Sequence, residues 1–152
     1  MKASMWLRIA SVLTFVHAVL HTVGGVFGKP DAGAATVAVE AMKANEFMLM
    51  GNVRTYFEFF RGMGLAVSIF LTFEAFAFWI MAGLAKRDAK RLRPLLAVFL
   101  LAYLAMAWNS YEYFFLAPVI TEVLIAGCLG FAWIVAGQAA EPGQQGLPEA
   151  AR

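Results

Sequence analysis

One stretch limits what this chain can fold into more than any other. Residues 51–84, GNVRTYFEFFRGMGLAVSIFLTFEAFAFWIMAGL, are apolar for longer than the roughly 20 helical residues needed to cross a hydrocarbon core. The stretch nevertheless opens with alternating charges. Read as one helix from about Val53 to Leu84, it puts Arg54, Glu58 and Arg61 four and three residues apart and so on one face, with Ser68 and Thr72 below them. It is therefore expected to span a membrane and to begin as a site.

Three further apolar segments fit the same scheme. Met5 to Phe27 is long enough for one crossing, Leu95 to about Leu116 for another, and Val119 to Gln138 for a fourth. Lys2 and Arg8 ahead of the first run, with the small residues Ala32-Gly33-Ala34 behind it, also resemble a cleavable signal. That run is longer than a signal core, however, and carries two histidines. GKPDAG stops the first helix, and Ala117-Pro118 is expected to form a very tight turn between the last two. Between GKPDAG and the second span lies AATVAVEAMKANEFMLM, in which Val37, Ala41, Ala44 and Met48 share a face away from Glu40, Lys43 and Glu46. This predicts a short amphipathic helix at the membrane surface, external to the bundle. The expected fold is thus all-α, a polytopic four-transmembrane-helix bundle over residues 1–138. The polar Gly- and Pro-rich tail 139–152 is expected to be disordered and cytoplasmic.

Composition agrees with a membrane setting. The 152 residues are 62% hydrophobic against about 45–50% in soluble domains, and the mean hydropathy is +0.72. A net charge of +2, with no basic face interleaved with aromatics, argues against nucleic acid. Lys86, Arg87, Lys90, Arg91 and Arg93 crowd one short loop against a single Asp88. Seven Lys and Arg fall at the first terminus and this loop, against three in the 28–55 segment. The asymmetry predicts both termini on the cytoplasmic side of the membrane. Cys128 is the only cysteine, and no CxxC or phosphate-cradling glycine loop occurs.

With that topology, polar residues of all four helices fall in the outer half of the membrane. His21 and His17 lie roughly 9 and 15 Å below the outer boundary, and Glu58, Arg61, Asn109, Glu112 and Glu122 within about 10 Å of it. A charge at mid-membrane costs about 2.5–3.5 kcal/mol, so these groups are expected to face one another, Arg61 accepting Glu58, Glu112 or Glu122. Trp108, Asn109 and Glu112 form a compact group able to flank a flat hydrophobic ligand. The candidate binding residues are His17, His21, Arg54, Glu58, Arg61, Trp108, Asn109, Glu112 and Glu122. His17 and His21 lack the companions of a metal site, and no metal is expected. Gly62 with Ala66, and Ala126 with Gly130, have the spacing of close helix contacts and are compatible with a homo-oligomer.

Three functions fit these residues. One is a binding module for a lipophilic small molecule, a lipid or quinone, held between apolar walls and a few polar groups. Another is an enzyme acting on a lipid-like substrate, with Glu112 or Glu58 as acid/base and His17 as relay. The last is a structural subunit of a larger complex, with Glu74 at its contact. The segments His21-Thr22, Met50-Gly51, Arg54-Thr55-Tyr56 with Glu58, and Gly62-Met63-Gly64 resemble a family of small, functionally unassigned bacterial four-helix membrane proteins. The resemblance extends over roughly Trp6 to Gly137, and the architecture is similar to DoxX-like bundles. It implies a fold and a compartment, with quinone-associated redox chemistry by analogy, and it assigns no residue a role.

Overall fold

A computed structural model describes residues 2–138, so the expectation of a disordered tail falls outside the described residues. Helix α1 (Ala3–Leu20) continues into a π-helical segment (His21–Val26); α2 (Ala34–Ala44) precedes a hairpin of β1 (Glu46–Leu49) and β2 (Asn52–Thr55). Then come α3 (Tyr56–Asp88), a 3-10 turn (Lys90–Leu92), α4 (Arg93–Tyr113) and α5 (Leu116–Gln138). Four of these segments, Ala3–Val26, Tyr56–Asp88, Lys90–Tyr113 and Leu116–Gln138, are helices long and apolar enough to cross a membrane. At a rise of 1.5 Å per residue, α3 reaches about 50 Å, so a crossing of a ~30 Å core needs tilt or projection.

Local chemistry explains where the elements differ from the sequence expectation. The first helix does not run as one α-helix to Phe27. The Thr22 hydroxyl donates to Ala18 O at 2.6 Å, and the Phe27 N–H reaches five residues back to Thr22 O at 3.1 Å, the wide π spacing. Gly28 follows, and a Cβ there would overlap the carbonyl oxygen of Gly24.

The second span starts later than Val53 because residues 52–55 pair instead with 46–49. Glu46 faces Thr55, Phe47 faces Arg54, Met48 faces Val53 and Leu49 faces Asn52. Met50 (φ 49°) and Gly51 (φ 79°) form the two-residue connection, both in the left-handed region that suits the twist of a tight hairpin. The amphipathic helix accordingly stops at Ala44, and Asn45 is extended. Thr55 then opens α3 through reciprocal bonds. Its hydroxyl accepts the Glu58 N–H at 3.1 Å, and the Glu58 carboxylate accepts the Thr55 N–H at 2.8 Å.

Ala117-Pro118 is not a turn. Helix α4 ends at Tyr113, where the Phe114 N–H still bonds Ser110 O at 3.0 Å, and α5 begins at Leu116. Pro118 thus lies in a first turn, where its missing N–H has no intrahelical acceptor to lose. Pro94 occupies the start of α4 for the same reason.

The chain forms two compact units. The first takes the start of α1 up to Ser11 together with the end of α3 from Ala77, α4 and α5. Its fully buried side chains are Leu7, Phe78, Leu96, Ile125 and Leu129. Phe78 meets Phe99 edge-on at 5.0 Å between centroids, and Trp6 stacks on Phe131 at 4.8 Å. Ala107, Ala126, Ala132 and Ala136 are buried, and Gly130 lies against Leu100, so α4 and α5 approach over small residues.

The second unit comprises Val12–Phe76. Val26 packs against Gly64, Phe47 of the hairpin meets Tyr56 at 5.0 Å and Phe59 at 5.6 Å, and Lys43 of α2 lies 5.3 Å over the Phe57 ring. Gly62 and Ala66, the other small pair, are exposed.

Two glycine substitutions separate these effects. Gly28→Ala, which must push aside backbone, is expected to destabilise by more than about 2 kcal/mol. Gly62→Ala, with nothing near its Cβ and a helical backbone, is expected to be neutral or to stabilise by up to about 1 kcal/mol. Thermal unfolding in one detergent measures both.

Candidate functional site

In the second unit the polar side chains follow α1 into the π segment and across to α3. Thr14 and His17, three residues apart on one helix face, are both buried. His17 is 8% exposed, and its Nδ1 is buried without a hydrogen-bond partner. One turn on, His21 Nδ1 lies 3.1 Å from Ser68 Oγ. The Ser68 hydroxyl donates its one proton to Gly64 O at 3.2 Å, so it accepts from His21 Nδ1–H, and Nε2 of that ring becomes the acceptor edge. Gly25 borders this edge; a Cβ there would stand 3.9 Å from Nε2. Thr72 extends the polar row, its hydroxyl donating to Ser68 O at 2.8 Å. His21 therefore presents an acceptor nitrogen, and His17 a buried ring nitrogen free to take a partner.

The charged stripe expected above this row is taken apart. Arg54 does not share a helix face with Glu58 and Arg61, because it lies on β2, exposed, and donates to the neighbouring Val53 O at 2.9 Å. Glu58 is exposed and spent on the start of α3. Arg61 is half-buried with its guanidinium 4.6 Å over the Phe27 ring, a cation–π contact. A helix-capping carboxylate and a hairpin residue were hidden from helical periodicity, which applies only where the backbone is helical.

In the first unit the buried polar pair is Glu122 and Ser110, each 2% exposed. The Ser110 hydroxyl donates to Glu122 Oε1 at 3.0 Å, while Oε2 is buried and has no partner. Trp108, Asn109 and Glu112 are exposed, with Trp108 and Tyr111 ring centroids 6.1 Å apart. They do not line up with Glu122 because they sit off the buried face of α4, which runs Leu96, Tyr103, Ala107, Ser110. Ser110 was missed by the sequence reading. Its signal was the small-residue step Ala107 to Ser110, one turn apart on the side that closes against α5. Among the described residues no group of three or more His, Cys, Asp and Glu is placed to hold a metal ion.

The fold and these groups define a class: a helical protein whose four long apolar helices are candidate membrane spans carrying a few buried polar side chains. Comparison with known proteins finds no matching family model, no matching curated protein and no matching solved structure, so the likeness to DoxX-like bundles goes no further than four apolar helices.

Ser110→Ala leaves both oxygens of a buried carboxylate without a donor. It is expected to destabilise by about 0.5–2 kcal/mol, in the range of side-chain hydrogen bonds inside membranes. The loss should nearly vanish in a Glu122→Leu background, as a double-mutant cycle read by thermal unfolding would show.

Proposed function

We propose that this protein is a multi-pass membrane protein that binds a lipophilic small molecule, a lipid or quinone, whose polar end is held by side chains buried in the spans. One observation carries the proposal: His17 Nδ1 and Glu122 Oε2 are buried hydrogen-bonding atoms without protein partners. Leaving such an atom unpaired costs about 1–3 kcal/mol, and lipid tails offer nothing to pair with it. A hydroxyl or protonated ring oxygen on an otherwise apolar ligand supplies the missing donor to either group while its hydrocarbon stays in the bilayer.

His21 and Ser68 serve as the supporting pair beside His17, fixing the ring that borders the π segment. Glu122 acts with Ser110. Arg61 contributes as a flanking cation, and Trp108, Asn109 and Glu112 belong to the surface past which such a ligand would enter. Glu58 closes the start of α3 and Arg54 belongs to the hairpin, so neither takes a direct part. In the membrane, the basic 86–93 run stays in the cytoplasm of a bacterial cell, both termini lie on that side, the four spans form one bundle, and α2 lies along the outer surface.

Native mass spectrometry of the gently solubilised protein tests the proposal. The wild-type chain should retain a lipophilic adduct, and His17→Leu or Glu122→Leu should lower its occupancy on the order of tenfold, equivalent to ~1.4 kcal/mol. A wild-type spectrum without adduct, or occupancy indifferent to both substitutions in folded protein, overturns it.

A further inference from the structure

Apart from these histidines and Glu122, the first unit contains a cavity of about 520 Å³, within the ~300–1,000 Å³ range of small-ligand pockets. It is lined by the start of α1 (Ala3, Ser4) with Lys2 before it, the end of α3 (Ala85, Lys86) with Ala89 after it, and the end of α5 (Val135, Gln138). Alanines on two of these walls keep the cavity open to backbone. Two lysines bring positive charge, and neither Lys2 nor Lys86 has an acidic partner among the described residues. The nearby acid, Asp88, is occupied: Arg91 Nε lies 2.8 Å from its Oδ2, and the Arg91 N–H donates to Oδ1.

The α1 terminus adds to this field. Ala3 and Ser4 lie in the first turn of an 18-residue helix, where backbone N–H groups lack intrahelical acceptors and the helix dipole is positive. Ser4 is 7% exposed, and its hydroxyl has no hydrogen-bond partner among the described residues. A nine-tenths buried donor, two unneutralised ammonium groups and a helix start thus border one cavity.

We infer that this cavity is an anion site for a phosphate group, supplied by the headgroup of an anionic membrane phospholipid. Three features select that ligand. The donors are all cationic or neutral N–H and O–H groups, which match phosphate oxygens. The cavity is built from the ends of three helices, two of them the ends of candidate spans and one the start of another, where headgroups lie if those helices cross a bilayer. The exposed Arg87, next in the chain to Lys86, adds a further positive charge on the same turn. Binding weakens with salt, since the attraction is screened.

The test uses the full chain in nanodiscs, comparing phosphatidylglycerol with phosphatidylcholine, and thermal stabilisation by inorganic phosphate in detergent. Wild-type protein should retain phosphatidylglycerol preferentially by native mass spectrometry. Lys2→Gln and Lys86→Gln should each weaken retention about fivefold and together about thirtyfold, as ~1 kcal/mol per basic residue implies. Lys29→Gln, an exposed lysine elsewhere, should change nothing, and Lys2→Arg with Lys86→Arg should restore binding.

Displacement of the lipid by inorganic phosphate supports a site that recognises phosphate itself and would add free phosphate as a source. Equal retention of both lipids with no phosphate effect overturns the proposal, as does an equal loss in Lys29→Gln. If anionic lipid binds only after Glu141 and Glu149 are replaced by Gln, the occupant is the chain's own tail and the proposal fails. Lys2, Lys29 and Lys86 are exposed side chains, and retained folding of every variant is checked by the same melting curve.

Discussion

Polar groups inside an apolar helix have no water to turn to, and this constraint organises the protein. Each one must find a donor or acceptor on a neighbouring residue, at its own helix end, or on something that enters from outside. Most find one locally. Thr22 and Thr72 turn back onto carbonyls four residues earlier, Glu58 closes the first turn of α3, and Arg61 settles on the face of Phe27. The side chains left over are few. His17, Glu122 and Arg93 each keep one buried atom unmatched, and of these the Arg93 guanidinium is already engaged by the face of Trp133. That leaves His17 and Glu122 as the buried polar groups with a position still to fill.

The segment between the first two spans obeys a different constraint. Residues 46–50, Glu-Phe-Met-Leu-Met, have good helix propensity, yet the chain leaves α2 at the extended Asn45 and the pair Met50-Gly51 turns it through left-handed geometry into a hairpin. Aromatic contacts then hold that hairpin to the start of α3, with Phe47 between Tyr56 and Phe59. A non-glycine residue held at positive φ costs of order 1 kcal/mol, and Met50 carries that cost while being 94% exposed. The π segment is the counterpart at the end of α1. Its wide turns, Gly24-Gly25 within it and Gly28 behind it bring His21 against Ser68. Irregular backbone of this kind is concentrated where the polar row lies, and π-helical turns are often found at functional sites.

Charge is divided by the ends of the helices. The basic run after α3 and the start of α1 gather cations, of which Arg91 pairs with Asp88, while the buried carboxylate and the imidazoles lie within the candidate spans. A membrane separates such groups naturally, since cations are stable beside anionic headgroups and a buried carboxylate needs a donor, here the Ser110 hydroxyl. Arg93 shows both tendencies at once, its guanidinium 4.4 Å over Trp133 and beside Gly137 near the end of α5.

The sequence by itself determined the four apolar helices, the loop of basic residues and the presence of His17, His21 and Glu122 within the spans, because hydrophobic length and residue identity are local properties. It also marked Pro94 as a helix start, since proline's missing N–H is harmless only there. Tertiary structure decided the rest. That Arg54 sits on a strand, that Glu58 caps a helix, and that Ser110 instead of Trp108, Asn109 or Glu112 meets Glu122 all depend on which backbone groups are free and which face of α4 closes on α5. Periodicity fixes a residue's angle around a helix it is assumed to belong to. It carries no information on where that helix begins or on which side its neighbour lies, and those two facts place the polar atoms.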